Sequence, residues 1–432
     1  MIGFTIDTPT DVLHCELCDH FLLRSMTLKG RSDGSTYENV KINQSQYVYI
    51  EKCTLSGAYD NVIDYVAVQY GHIVQNQISG GGDWCAYVKG GSSYLRIEGN
   101  VISDCGTGGF TAGQGTGFEF MTAPWLHYEA YDIKFFNNII HDTYGACFGV
   151  NGGYNVLFAY NTCYRVGERS HVLEVVFGLR SCDGNTAKCN QHLSQGGWGT
   201  SGNTEQPIPN QNVRIMNNVV YNPSGYQSQW QHFAIHGPRN PSSGSNIPNP
   251  ARTDTGLIIQ GNIIWNGPAV DLSFLGPDDD ACTNSNPTCN TSQLLTDNKI
   301  NAFATMSAAP NFRDPTSGDF RPQIDGSIVE TQSYSISSFT NVGRPSVPSV
   351  PPGVLTNNIP RDFSSSKRTL NGGPPGAYAK ATSPIQKSKM KKFICARSLS
   401  SAKKECPYRS TNCSGRGSSC GDGKTCFLVT CY

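Results

Sequence analysis

One short phrase, written again and again, restricts this chain more than any other feature in it. It reads Ile97-Glu98-Gly99-Asn100-Val101-Ile102, then Phe135-Phe136-Asn137-Asn138-Ile139-Ile140, then Leu157-Phe158-Ala159-Tyr160-Asn161-Thr162. Apolar residues precede an Asn, and the first two copies close on a further apolar pair. The phrase returns at Val74-Gln75-Asn76-Gln77-Ile78, at Ile215-Met216-Asn217-Asn218-Val219-Val220 and at Ile259-Gln260-Gly261-Asn262-Ile263-Ile264. Two weaker copies put Met26 and Cys53 in the Asn place. From 26 to 53 is 27 residues, 53 to 76 is 23, 76 to 100 is 24 and 138 to 161 is 23. A unit of that length with strand-like alternation is one turn of a parallel β-coil. The longer intervals, 38 from 100 to 138, 57 from 161 to 218 and 44 from 218 to 262, are one turn plus an insertion, or two turns of which one has lost its signature. Stacked turns place like residues about 4.8 Å apart, so the Asn column predicts an amide ladder along the stack.

Composition bounds what such a coil can do. Lys and Arg number 33 and Asp and Glu 33, so no basic stripe argues for nucleic acid. Charged residues make up 15%, with 46 Gly and 24 Pro, a turn-rich, β-rich balance. No run reaches the ~18 consecutive apolar residues of a membrane helix. The Met1–Thr10 start lacks a secretory leader's basic and apolar regions. A coil begins there almost at once, so a processed or truncated N-terminus is expected. Seventeen cysteines exceed what a reducing compartment tolerates. Cys182 with Cys189, and Cys282 with Cys289, bracket short loops and read as disulfides. Cys15 and Cys18 alone have zinc-like spacing, with no second pair to complete a site. Secretion is expected, with Asn43 and Asn290 as glycosylation acceptors in a eukaryotic host.

From Val66 onward each unit shows a second strand, starting at Val66, Ala86, Phe110, Phe148, Val175 and Phe233. Period-two alternation sends residues 68, 88, 112, 150, 177 and 235 inward. The outward column is then Gln69, Lys89, Gly113, Asn151, Gly178 and His236, with Tyr87, Thr111 and Gly149 beside it. Insertions at about 114–130, 180–210 and 223–254 hold Trp125, Trp198 and Trp230. On solenoids insertions gather on one face, often the binding face. Three regions follow: a coil over 1–325, a Pro/Ser/Gly-rich lead-out and linker over 326–387, and a Cys-rich module over 388–432. The last holds six cysteines, with 15 possible pairings.

The Asn repeat, with Tyr87-Val88-Lys89-Gly90-Gly91-Ser92 followed by Tyr94-Leu95-Arg96-Ile97-Glu98-Gly99-Asn100, resembles the right-handed parallel β-helix proteins of the pectin-lyase-like superfamily. The resemblance covers roughly residues 15–325 and implies an all-β, right-handed parallel β-helix solenoid. The superfamily holds lyases, glycosidases, epimerases and adhesins, so fold does not fix activity. The paired Asp and Gly-His-Gly of polygalacturonases are missing. What remains resembles the polysaccharide lyases of the group, some of which use calcium and a lysine base.

β-Elimination from a uronic acid needs a base at C5 and a clamp on the carboxylate. A strand lysine that is partly desolvated or near other cations can serve as that base. Lys89 is the lysine of the outward column and is expected as base, unless it is a solvated strand lysine. Arg169 and His171, within an ionisable cluster with Arg165, Glu168 and Glu174, are expected on the carboxylate or the leaving group; a structural ion-pair network is the alternative. Gln69, Tyr87, Gln114 and Asn151 are candidate substrate contacts, as is His236 in a weaker group with His232 and Arg239. Trp125, Tyr128 and Trp230 stack on sugar faces or pack the insertions down. Glu119 and Glu129, near His127, are candidate Ca²⁺ ligands, with Glu129 alternatively anchoring the insertion. The acidic run at 277–280 reads as a surface turn. The leading function is a secreted polysaccharide lyase acting as a monomer. The alternatives are a glycoside hydrolase, with Glu119, Glu129 and Glu174 as carboxylates, and a non-catalytic glycan-binding surface protein.

Overall fold

The computed structural model describes residues 1–230, 232–267, 281–283, 286–300, 309–324, 326–351, 356–369, 372–383, 390–396, 419–420 and 424–431. Two units are distinguished, Met1–Thr382 and Ser383–Tyr432. The first is a right-handed parallel β-helix. Among the described residues its turns build parallel sheets of ten, nine and eight strands, each strand pairing with its equivalent one turn away. In the second unit Met390–Ala396, Ser419–Cys420 and Lys424–Cys431 form a small antiparallel sheet. The pairing of its cysteines and the acidic run at 277–280 lie outside the described residues.

The Asn phrase sets each turn. The residue before the Asn position is left-handed every time: Ser25, Lys52, Gln75, Gly99, Asn137, Tyr160, Asn217 and Gly261 have φ between 53° and 72°. That kink ends a strand of the nine-stranded sheet and starts one of the ten-stranded sheet. The Asn then closes the corner from inside. Asn76 donates to Asn100 (2.9 Å), Asn100 to Asn138 (2.9 Å), Asn138 to Asn161 (3.2 Å), Asn161 to Asn218 (2.9 Å) and Asn218 to Asn262 (2.9 Å). A further member, Asn298, accepts from Asn262 at 2.8 Å. The weaker copies continue it downward, Cys53 N–H donating to Asn76 and Met26 N–H to the Cys53 sulfur. A buried amide with all its bonds made is stabilising, whereas a missing rung leaves the next one unsatisfied. Each long interval holds a single turn plus an insertion, because Asn100 pairs directly with Asn138 and Asn161 with Asn218.

Inside the tube the eight-stranded sheet contributes Ile42, Tyr65, Val88, Ala112, Val150, Val175 and Ile235, each in register with the next. Phe110 stacks on Phe135 and Phe148 on Phe158, both at 4.5 Å between centroids. The expected register needs two corrections. The turn below Lys89 forms its strand over Ile63–Val66, so Val66 lies under Lys89 and Tyr65 points in. Left-handed Ala67 (φ 55°) breaks the alternation there, and Gln69 opens the next strand, buried. Higher up the strand is Leu173–Val176, so Val175 is inward and Glu174 outward, while Phe177 packs with Ile208, Ile247 and Ala251 of the insertions.

Cys182–Cys189 and Cys282–Cys289 are disulfides as expected, joined by Cys15–Cys18, Cys85–Cys105 and Cys147–Cys163. The described residues among 333–378, a stretch expected within the lead-out, fold back over the outside of the coil. Tyr334 N–H bonds Asn217, the Arg214 guanidinium bonds the carbonyls of Ser337 and Ser338, Arg344 pairs with Asp132, and Arg368 bonds Asn137. The arginines give this irregular run the polar anchors that a repeat pattern does not reveal. No described helix is long and apolar enough to cross a membrane.

Candidate functional site

The outer face of the eight-stranded sheet carries a groove. Its floor is set by register: Lys41, Asp64, Tyr87, Thr111, Gly149 and Glu174 form one column, one per turn. Lys89 and Asn151 stand in the neighbouring column. One wall comes from the insertions, where Gly115–Gly117 pairs with Gly178–Ser181, which in turn pairs with Gln206–Ile208. A cavity of about 440 Å³ opens against that wall, lined among others by Glu38, Lys41, Asp60, Asp64, Tyr87 and Lys89.

Lys89 lies back over the Tyr87 ring, its Nζ 4.4 Å from the centroid, and donates to Gln114 Oε1 at 3.0 Å. Gln114 Nε2 in turn donates to Asp83 Oδ2 at 3.2 Å. Among the described residues no carboxylate lies within ion-pair distance of Lys89, whereas Lys41 is held between Glu38 (2.6 Å) and Asp64 (3.1 Å). Burial works against the charged form of Lys41, but Asp64 and Glu38 outweigh it and hold its value above the ordinary one. Burial, and then the charges of Asp83, Glu38 and Asp64, push the Asp60 carboxyl up to about 6. The Tyr87 phenol is raised well above its usual value, by burial first and then by Asp64, so it acts as a neutral donor.

A second cluster stands three turns above Tyr87, about 14 Å away at the usual strand spacing. Glu174 accepts from Ser170 Oγ at 3.1 Å. Burial pushes its carboxyl up to about 7, with Asp83 adding to the effect and Ser170 and Arg169 opposing it. The charge of Asp83 thus acts on both Asp60 and Glu174. Space beside Glu174 is tight, since a Cβ at Gly149 would stand 3.1 Å from the Trp84 indole and 3.3 Å from Glu174 Cβ. Arg169 is exposed and bonds Gly106 O and Thr107 Oγ1. His171 packs against Trp230 at 5.3 Å.

Several expected site residues are therefore placed elsewhere. Lys89, Tyr87 and Gln114 meet in the groove. Asn151 stands two turns above Lys89 and accepts from Thr111 Oγ1 at 2.7 Å. Arg169 and His171 stand with Glu174: the Arg169 guanidinium reaches down to Gly106 and Thr107, and His171 lies against Trp230. His236 follows the top strand, beside Phe177. Gln69 is buried and bonds Gly91 O, and Trp125 is buried against Tyr94, Tyr128, Tyr131 and Tyr154 on another face. Aromatic residues of an insertion serve packing as readily as binding, and here the hydrophobic contact decides it.

The donor sets of Glu119 and Glu129 do not fit a calcium ion. Glu119 accepts from the amides of Asp183 and Asn185. Burial alone would raise its carboxyl, but those two donors outweigh it and leave the value lowered. Its two other close ligand atoms, the sulfurs of Cys182 and Cys189, are joined to each other. Glu129 is fully buried, pairs with the equally buried Arg180 and accepts from Gly90 N–H (3.0 Å) and Thr116 Oγ1 (2.6 Å). Both carboxylates are spent on anchoring the insertions. Sequence reasoning missed Lys41, Asp60, Asp64 and Asp83. The repeat interval could have found them: 41 to 64, 64 to 87 and 60 to 83 are each 23 residues.

No protein-family model and no curated protein matches the sequence. Among solved structures, the chain is similar to an alginate lyase from Paenibacillus sp. str. FPU-7, with 12% identity, TM-score 0.39 and coverage of 64% of this chain and 92% of that one. It is also similar to the A-module of the Azotobacter vinelandii mannuronan C-5 epimerase AlgE4 (12% identity, TM-score 0.36, 61% and 72% covered). A third is the pectate lyase Pel9A (10% identity, TM-score 0.31, 83% and 77% covered). Similarity at that level assigns no residue and no reaction to this chain.

Proposed function

We propose that the groove binds an extended polysaccharide and that the protein is a secreted lyase, cleaving uronic-acid-containing chains by β-elimination. The observation that carries this reading is the state of Lys89. It stands on a rigid strand, reaches into the groove, and rests on a neutral amide and a ring instead of a carboxylate. In its uncharged form Nζ takes the C5 proton. The electron pair released forms the C4–C5 double bond as the C4–O4 bond breaks, and the departing O4 takes the proton of the Asp60 carboxyl. The Tyr87 hydroxyl and the Lys41 ammonium stabilise the charge that develops on the uronate carboxyl. A protonated Asp60 also removes one negative charge from a groove that must admit an anion. The disulfides support an oxidising, extracellular setting.

A second reading is glycoside hydrolysis. It is favoured by the asymmetry between Asp60, whose proton is retained to about 6, and Asp64, which is ion-paired with Lys41. A carboxyl that holds its proton beside one that pairs with a cation suits an acid and a base. The products decide between the two. Digestion of uronans by the lyase gives ultraviolet absorbance from the new conjugated double bond, and Lys89→Ala lowers that rate by roughly 10²–10⁴-fold. New reducing ends without that absorbance would establish hydrolysis instead. Absorbance unchanged in Lys89→Ala would remove Lys89 from the mechanism.

A further inference from the structure

The upper cluster is not used by the elimination step, yet it is built on the same groove floor. Glu174 occupies the same column as Tyr87, reached through Thr111 and Gly149, whose short side chains leave that floor low. The Arg169 guanidinium is exposed and its partners, a carbonyl and a hydroxyl, are neutral. Among the described residues no carboxylate comes within ion-pair distance of it. Above them Trp230 is 52% exposed, an unusual state for an indole that is otherwise well fixed. Its backbone N–H donates to Ser170 O at 3.2 Å, and its ring packs against His171. Ser170, so held, donates to Glu174. The third insertion is thereby fastened to the cluster with its largest apolar surface turned outward.

We infer that Trp230, Arg169 and Glu174 form a second saccharide subsite, which takes a uronate unit of the same chain several sugars away from the bond over Lys89. This rests on the reading of the groove as a uronan site. The indole covers the C–H face of the ring, an amphipathic surface that aromatic side chains bury well. Arg169 meets the carboxylate in its planar, two-pronged geometry. Glu174, half-buried on the groove floor, retains its proton near neutrality and donates to a hydroxyl or carboxylate without repelling the anion.

The test is calorimetric binding of size-graded uronate oligosaccharides to the Lys89→Ala protein, which retains the upper cluster intact. Affinity is expected to step up about tenfold, equivalent to about 1.4 kcal/mol, at the length that spans both clusters. Trp230→Ala in the same background removes the step and leaves the shortest ligands unaffected. Arg169→Gln weakens the long uronates but not their carboxyl-reduced, neutral counterparts. A step that survives Trp230→Ala, or an Arg169→Gln loss equal for charged and neutral ligands, overturns the subsite. Length-dependent binding with no unsaturated product from the wild-type protein would instead sink the elimination chemistry and leave the subsite standing. Failure of every uronate oligosaccharide to bind overturns both.

Discussion

Replacing Arg180 by Met tests how the wall of the groove is held. Arg180 and Glu129 are both 0% exposed, and they face each other where the first and second insertions meet the strand end of Lys89. The guanidinium also donates to the carbonyls of Leu126, His127 and Trp198. Glu129 fastens Gly90 N–H and Thr116, so one carboxylate fixes both the lysine strand and the wall. Removing one member of a buried pair leaves the other charge uncompensated, at a cost of roughly 3–5 kcal/mol. The bonds Glu129 keeps to Gly90 and Thr116 place Arg180→Met toward the lower end, near ~3 kcal/mol. The exposed pair Arg24–Glu51 is the contrast, since such pairs contribute about 0–1 kcal/mol. Denaturant unfolding followed by circular dichroism measures both variants. The double variant Glu129→Gln/Arg180→Met is expected to recover much of the loss, because no charge is then stranded. A cost below about 1 kcal/mol for Arg180→Met, or a double variant as unstable as the sum of the singles, would refute the assignment of the wall to this pair.

Other outcomes follow from the same structure. The departing O4 takes its proton from Asp60, so Asp60→Asn is expected to lower kcat/KM on uronans roughly 10²-fold or more, read as the rate at which ultraviolet absorbance grows; a rate within a few-fold of wild type would remove Asp60 as the acid. Asp60 and Glu174 keep their protons in the folded chain to about 6 and about 7, above the unfolded carboxyl range, so the folded state binds more protons in that window. Stability therefore declines as pH rises through it, and Glu174→Gln should flatten the upper part of the decline in denaturant titrations across pH; an unchanged slope counts against the enclosed carboxyl. Asn138→Ala breaks the ladder between Asn100 and Asn161 and should cost about 1–3 kcal/mol by thermal or denaturant unfolding, since the Asn100 amides lose their acceptor.

The coil was legible because its signal is chemical as well as periodic: only a buried amide repeated once per turn makes a continuous ladder, and Asn76, Asn100, Asn138, Asn161, Asn218 and Asn262 all join it. Asn298 escaped because little of the apolar phrase surrounds it. Register was harder to read. A left-handed corner at Ala67 shifted Gln69 out of its expected column, and in Val175-Val176-Phe177 both phases of the alternation are apolar, so either could face in. Tyr87 and Lys89 were placed in the groove by the plain alternation of Trp84–Lys89, and Gln114 follows the equivalent strand one turn above. The carboxylates around them lie on lower turns with weaker phrases, or at corners such as Asp60 and Asp83. Trp125 and Glu129 sit in an insertion, which has no repeat to fix its direction. Their roles depended on partners, Tyr94 and Arg180, that only folding brings near.

The returning segment over 333–351 changes how this coil can come apart. An ordinary stacked array frays from its ends, one layer at a time, because each layer touches only its neighbours. Here the run from Tyr334 at Asn217 to Arg344 at Tyr94 and Asp132 is laced across layers far apart in the chain. Peeling the top of the column must first undo that lacing, so the body of the molecule is expected to melt as one piece. A single protease cut within 333–351 would restore layer-by-layer loosening.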